Sequence, residues 1–150
     1  MTMLIANIAR ETAPGVFHAN SWGINISQKI LSELISHAKL NQNKKARLCL
    51  HPTPNELLQV TYLAFCHPYR DQIHFHPHRV EVLVPILGRA KYATYDQDGQ
   101  ILESKILKES EPFTISTSSG IRHAIEVLSE SFVVLEIGTG PFTHDSTVYR

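Results

Sequence analysis

The sequence predicts a single, mainly β domain, an antiparallel barrel or sandwich with one α-helix near its N-terminus. Three observations carry that prediction. From residue 46 onward, short β-prone segments recur at 46–51, 58–66, 72–76, 80–88, 90–96, 101–107, 113–117, 122–128 and 131–137, separated by Pro, Gly, Asp, Asn or Ser. Ahead of them, Ile30, Leu31, Leu34, Ile35 and Ala38 repeat at the three-and-four spacing of one helical stripe. At 150 residues the chain fits one core, because a domain this size buries roughly 70% of the surface its unfolded chain exposes.

Taken in order, the apolar start through Leu4 to Ala9 reads as a first strand. It has no preceding basic region and meets Arg10 and Glu11 directly, so a strand and not a signal peptide is expected there. The helix runs from Ser27 to Lys39, with Ser27 suited to cap its N-terminus and Lys39 to face the negative end of its dipole. Asp96-Gln-Asp-Gly99 is the clearest tight turn, Gly99 supplying a positive φ. The longest apolar runs fall far short of the roughly 20 residues that cross a bilayer, so no membrane span is expected. No internal repeat or low-complexity linker interrupts the chain. The expected layout is one structural domain: a strand and helix over 1–45, the barrel over 46–142 and a polar tail over 143–150.

Charge narrows the partners. Lysine plus arginine equal aspartate plus glutamate at 14 each, which excludes the bulk positive charge that draws nucleic acid or anionic membrane. A small neutral or modestly charged molecule is the expected partner. Cys49 and Cys66 sit inside apolar strand-like runs, so reduced, buried thiols and a cytoplasmic address are expected. A homodimer is expected as well, the Leu4–Ala9 run adding to a neighbour's sheet.

The chemistry concentrates in His74-Phe-His76-Pro-His78-Arg-Val-Glu81, with His123 following in Gly120-Ile-Arg-His123. Residues two apart on a strand point to one face, so His74 and His76 can offer both rings to one ion. Pro77 interrupts the strand and gives Glu81 a turn to swing back. The metal ligands read from this are His74, His76, Glu81 and His123. A His76/His78 pair is the alternative, with His74/His76 preferred because four residues to Glu81 leave room for the turn. Nitrogen and oxygen donors without thiolate suit Fe, Mn, Ni, Co or Zn and do not select among them. His18, His37, His67 and His144 are assigned ordinary surface or structural roles.

The same spacing resembles a family. His74-x-His76, Glu81 and Gly88 resemble the first cupin motif, and Gly120-x-x-His123 the core of the second. The likeness runs from Gly15 to Phe142, through Val16-Phe-His-Ala19, the helix, Ala46-Arg-Leu-Cys-Leu-His51, Gln59 and Leu135-Glu-Ile-Gly-Thr-Gly-Pro-Phe142. Together these are similar to the WbuC family of cupin-fold metalloproteins, some encoded among bacterial surface-polysaccharide genes. Pro68, Ser118 and Val127 depart from the cupin pattern. The resemblance implies a double-stranded β-helix, or jelly-roll barrel, beside the helix. It implies a metal-dependent function on a small polar molecule, a sugar or nucleotide-sugar intermediate of polysaccharide synthesis among the options, and it includes His51 and Gln59 as substrate-binding positions.

Several readings stay open on the sequence. A metal-dependent isomerase or epimerase, a non-catalytic ligand-binding module and an Fe(II)-dependent dioxygenase all fit. No catalytic acid or base is assigned, and His51, Tyr62 and Tyr92 are the candidates. With His123 and Glu81 inward, strand alternation predicts walls of Ile121, Ile125, Val127, Leu83, Pro85 and Leu87. Gly138-Thr-Gly140-Pro reads as a chain turn and not a nucleotide loop, lacking a third glycine and a following helix. Lys39, Lys44, Lys45 and Arg47 read as a solvated basic cluster at the helix end. Ser118, Ser119, His123 and Asp145 have the residue types of a hydrolytic triad, without a nucleophile elbow to hold them.

Overall fold

The computed structural model describes residues 4–109, 111, 115–117 (backbone) and 120–149. Its elements are α1 (Leu4–Ile8), β1 (Ala9–Ala13), β2 (Val16–Ala19), α2 (Gln28–Leu40), β3 (Lys45–Cys49), β4 (Leu58–Cys66), β5 (His74–Phe75), β6 (Glu81–Leu87), β7 (Arg89–Tyr95), β8 (Ile101–Lys108), β9 (Ile115–Thr117), β10 (Arg122–Val127), β11 (Ser131–Thr139), a 3-10 turn (His144–Ser146) and β12 (Val148–Tyr149). One sheet runs β1-β2-β3-β4-β11-β6-β9 and the other β12-β5-β10-β7-β8. Every pairing is antiparallel except β2 with β3. The mainly β, two-sheet architecture with one long N-terminal helix is the predicted one.

The helix forms where its stripe placed it. Ser27 Oγ accepts the Ile30 N–H at 3.3 Å, and Ile30, Leu31, Leu34 and Ala38 are buried. This stripe covers the outer face of the larger sheet, packing with Phe17, Ala46, Leu48, Ala64 and Val133. The first apolar run differs from prediction: Leu4–Ile8 is a helix, and the strand begins only at Ala9. The cause is tertiary. Glu33, on α2, accepts the otherwise unpaired N–H groups of Leu4 at 2.7 Å and Ile5 at 3.3 Å, while Ile5 is buried in the same core. Of the expected Leu4–Ala9 strand only Ala9 is in strand, as the first residue of the edge strand β1.

Covering one face of β3, β4 and β11 with apolar contacts forces the alternate residues inward. On β3 these are Lys45, Arg47 and Cys49; on β4, Gln59, Thr61, Leu63 and Phe65; on β11, Glu136. Phe65, Leu107, Val127, Phe132 and Val134 fill one end of the interior. The other end stays open as a cavity of about 340 Å³. The Asp96 turn forms as predicted, Gly99 taking φ 82° and Asp96 Oδ1 accepting from Asp98 and Gln100. The predicted strand over 113–117 is described only from Ile115 to Thr117. Both cysteines are buried and free, and among the described residues no helix is long and apolar enough to cross a membrane.

Candidate metal centre

The cavity wall is built by register. His123 on β10 pairs directly with His74 on β5, and their ring centroids stand 4.4 Å apart. His76 follows two residues later on the same face, 5.1 Å from His74 and 5.3 Å from His123 by ring centroid. One ring nitrogen from each of the three lies within 4.8 Å of the others. The two motifs are also tied through the backbone, the Gly120 N–H donating to the His76 carbonyl at 2.9 Å. After Pro77 and His78 the chain turns, and Glu81 enters the cavity as the first residue of β6.

Hydrogen bonding selects the tautomers. Nδ1 of His74 faces the Gln72 carbonyl at 2.9 Å, Nδ1 of His76 the Ser146 carbonyl at 2.8 Å, and Nδ1 of His123 the Ile121 carbonyl at 2.8 Å. A carbonyl only accepts, so each neutral ring carries its proton on Nδ1 and keeps a bare lone pair on Nε2. Metal-binding imidazoles are oriented in the same way. Burial lowers the pKa of His74, and burial plus the neighbouring His74 takes His123 to about 4, so both rings stay neutral.

His76 and Glu81 form the electrostatic joint. A neutral His76 turns its bare Nε2 toward Glu81 Oε1 at 3.4 Å, which sets two acceptors against each other. Such a contact calls for a cation between them. Burial opposes protonation of His76, yet the Glu81 hydrogen bond and charge outweigh it and raise its pKa. Glu81 resists burial in turn, because His76 and Arg79 hold its carboxyl down at about 2. Arg79 donates Nε to Glu81 at 2.5 Å, Nη2 to Glu136 at 3.0 Å and Nη1 to the Thr139 carbonyl at 2.9 Å. It therefore locks the carboxylate in place.

The other candidates divide. His78 is exposed. Tyr62 packs on the helix side of the sheet, away from the cavity. Tyr92 is buried and stacks on His123 with centroids 5.7 Å apart, but its hydroxyl finds no partner among the described residues. His51 and Gln59 both line the cavity. Gln59 is engaged structurally, its amide donating to Pro54 at 2.7 Å and its oxygen receiving Arg79 Nη1 at 3.4 Å. The predicted apolar wall is present at Leu83 and Ile125, whereas Ile121 is exposed.

Three assignments change. Lys45 and Arg47 are not part of a solvated cluster but face the cavity, because Ala46 and Leu48 lie under the helix. Gly138 is not in a turn; it belongs to β11, between Gln59 and Glu81 on the adjoining strands. His18 is buried, and with Cys49 and His51 it forms a second group of potential ligands within 4.8 Å of one another. In that group His51 Nδ1 lies 3.1 Å from the Val60 nitrogen and 3.2 Å from the Val60 carbonyl oxygen, so the Val60 backbone engages that nitrogen in either tautomer. Asp145 pairs with His144 at 2.9 Å at the surface, and Ser118 and Ser119 lie outside the described residues.

Sequence reading missed Lys45, Arg47, Arg79 and Glu136 as cavity residues. For the first two a signal existed: Lys45-Ala-Arg47-Leu-Cys49-Leu-His51 alternates polar and apolar strictly, and a helix stripe nearby needs the apolar face.

The family model described as Domain of unknown function (DUF6016) matches residues 26–107, more than half of the chain. The chain belongs to the DUF6016 family. The matched span carries His51, His74, His76 and Glu81 and leaves His123 and Glu136 beyond its end. No curated protein sequence matches this DUF6016 chain. Among solved structures it is similar to the capsular polysaccharide assembling protein CapF of Staphylococcus aureus, with a TM-score of 0.63 and 14% identity over 73% of this chain and 30% of that one. It is also similar to recombinant oxalate oxidase in complex with glycolate, at 0.58 and 13% over 73% of this chain and 57% of that one. Oxalate decarboxylase of Bacillus subtilis gives 0.56 and 21% over 70% of this chain and 27% of that one. The DUF6016 chain thus spans about a third of CapF and under two thirds of each of the others. At these identities the likeness is one of fold, and the fold is the cupin barrel.

Proposed function

We propose that this protein is a divalent-metal-dependent cupin of WbuC type, an enzyme acting on a small polar molecule inside the barrel. The observation that carries the reading is the shared orientation of three imidazoles, each held by a carbonyl on Nδ1 with Nε2 left for a ligand. Glu81 adds a carboxylate kept ionised by Arg79. The donor set of three nitrogens and one oxygen suits Fe, Mn, Ni, Co or Zn. A divalent ion on it would polarise a carbonyl or hydroxyl oxygen of the bound molecule.

The chain's own residues supply the rest. Arg79 and the three carbonyls fix the ligands before anything binds, which is the requirement for a precise site. Glu136 lines the same cavity, and burial plus the Glu81 charge raise its pKa, so it is the carboxyl best suited to hold or hand over a proton. His51, kept neutral by burial, is the alternative. Leu63, Leu83 and Ile125 give the cavity an apolar wall. The volume lies at the lower limit of small-molecule pockets, which suits a monosaccharide-sized molecule; a nucleotide sugar would leave its nucleotide outside. A sugar substrate rests on the resemblance alone.

Elemental analysis of tag-free protein beside His76→Ala and His123→Ala tests the reading. Close to one metal per chain in the wild type, absent from both variants, is the expected result. Folded wild type that takes up no metal after reconstitution would overturn it. Metal-loaded protein that binds sugars without altering them would move the function to a binding module.

A further inference from the structure

Two cations in the cavity are left over once the metal centre is accounted for. Arg79 is already engaged by Glu81, Glu136, Gln59 and Thr139. Lys45 and Arg47 are different. The backbone N–H of Arg47 donates to the Gly15 carbonyl at 2.8 Å, but its guanidinium, with five donors, lines the cavity and makes no hydrogen bond or ion pair among the described residues. Lys45 Nζ makes no ion pair among the described residues: its contacts are the Tyr69 hydroxyl at 3.5 Å and the faces of Phe65 and Tyr69 at 5.0 and 5.7 Å, with Asp71, Glu136 and Glu81 acting on it from farther off. Both point inward from β3 because the helix holds the other face of that strand.

Charge and position give the pair a purpose. Lys45, Arg47 and Arg79 face Asp71, Glu81 and Glu136 around the cavity, so the formal charges cancel while the imidazoles are neutral and all three carboxyls ionised, and a proton on Glu136 leaves one positive charge in excess. A divalent ion at the histidines would leave two positive charges uncompensated. Asp71 is already engaged by the Tyr69 hydroxyl and the Ile125 N–H, and Glu136 by Arg79. Strands β4 and β11 separate β3 from β6, so the backbones that carry the cations and Glu81 stand three strand steps apart, roughly 14 Å along the curved wall, while the long Lys45 side chain brings its charge within reach of Glu81 and His74. Cations and candidate ligands line one cavity of about 340 Å³, which has room for a molecule of several heavy atoms.

We propose that Lys45 and Arg47 form an anion subsite that takes the carboxylate or phosphate of a small molecule whose oxygen, at its other end, meets the metal. The substrate class is then a sugar acid or a sugar phosphate, and the spanning geometry rests on the metal reading above. Paired guanidinium and ammonium groups in a partly dehydrated cavity bind such anions strongly. Burial, followed by the charge of Arg47, lowers the pKa of Lys45, a penalty that a bound anion would offset.

Calorimetric titration of metal-loaded protein with gluconate, glucose 6-phosphate and neutral glucose tests this, with metal content and circular dichroism recorded on every sample. One of the two anions is expected to bind at least tenfold more tightly than glucose. Arg47→Met and Lys45→Met should each lose that advantage while keeping both fold and metal. A preference for gluconate or for glucose 6-phosphate assigns the carboxylate or the phosphate. Inorganic phosphate titrated into chelator-treated protein separates the two readings: binding there that Arg47→Met abolishes upholds the subsite even if no metal is ever taken up. Equal affinity for glucose and both anions, unchanged anion affinity in both variants, or no anion binding with and without metal would each overturn it.

Discussion

Arg79 lies flat against Gly138. A Cβ at that glycine would stand 2.3 Å from Nη2 and 2.5 Å from Cζ, so the guanidinium occupies the space a side chain would need. Because the same group clamps Glu81 and Glu136, the missing side chain of a β11 residue holds the Glu81 carboxylate in position beside His76. Gly138→Ala should therefore displace Arg79 and leave two carboxylates poorly paired. A loss of about 3 kcal/mol in urea unfolding is expected. A midpoint unchanged from wild type would show that Arg79 relocates freely.

Acid should destabilise the metal-free protein. The pKa of His123 falls from 6.5 to about 4 on folding, so between those values the unfolded chain takes the proton first and stability drops as pH falls. His123 alone accounts for roughly 3 kcal/mol across that window, and His74 acts in the same direction. His76 has the opposite sign: its raised pKa adds stability below pH 6.5 that fades as pH rises through the folded value. Denaturation of chelated protein at pH 7 and pH 4.5 measures the balance, and His123→Gln should flatten the profile. An equally steep profile in that variant would assign the effect elsewhere.

Metal should reverse that balance. Metal on Nε2 of His76 must displace the proton that Glu81 holds there, so uptake should weaken as pH falls through the raised His76 pKa. At neutral pH, metal at a hundredfold excess over its dissociation constant should stabilise the fold by about 2.7 kcal/mol. His76→Ala should show neither the stabilisation nor the pH dependence. Thermal melts with and without chelator at two pH values check both points.

Tyr92 carries a buried hydroxyl with no partner among the described residues, stacked against His123. Leaving a polar group unsatisfied costs about 1–3 kcal/mol, so Tyr92→Phe should be neutral or slightly stabilising. It should leave metal content unchanged. A marked loss of stability would mean that the hydroxyl is engaged in solution.

Much of this architecture is legible locally. Helix α2 and its Ser27 cap follow from one apolar stripe, and most strands from period-two runs broken by turn residues, because those signals are contained within a few residues. His74, His76 and His123 share a face for the same reason. Helix α1 is different: a five-residue apolar segment becomes helical only because Glu33, far along the chain, caps it. The inward turn of Lys45 and Arg47 needs knowledge of where α2 packs. Arg79 gave no local signal, since its meaning lies in Gly138 across the sheet.

By itself, then, the sequence determined the periodicity of each element and the identity and spacing of the imidazoles, because hydrophobic pattern and strand alternation act over neighbouring residues. Tertiary structure alone decided which nitrogen His76 presents, that Arg79 holds Glu136 beside Glu81, and which charged residues enter the barrel. Those depend on carbonyls and side chains brought from strands distant in the chain, as when Ser146 orients His76 across 70 residues.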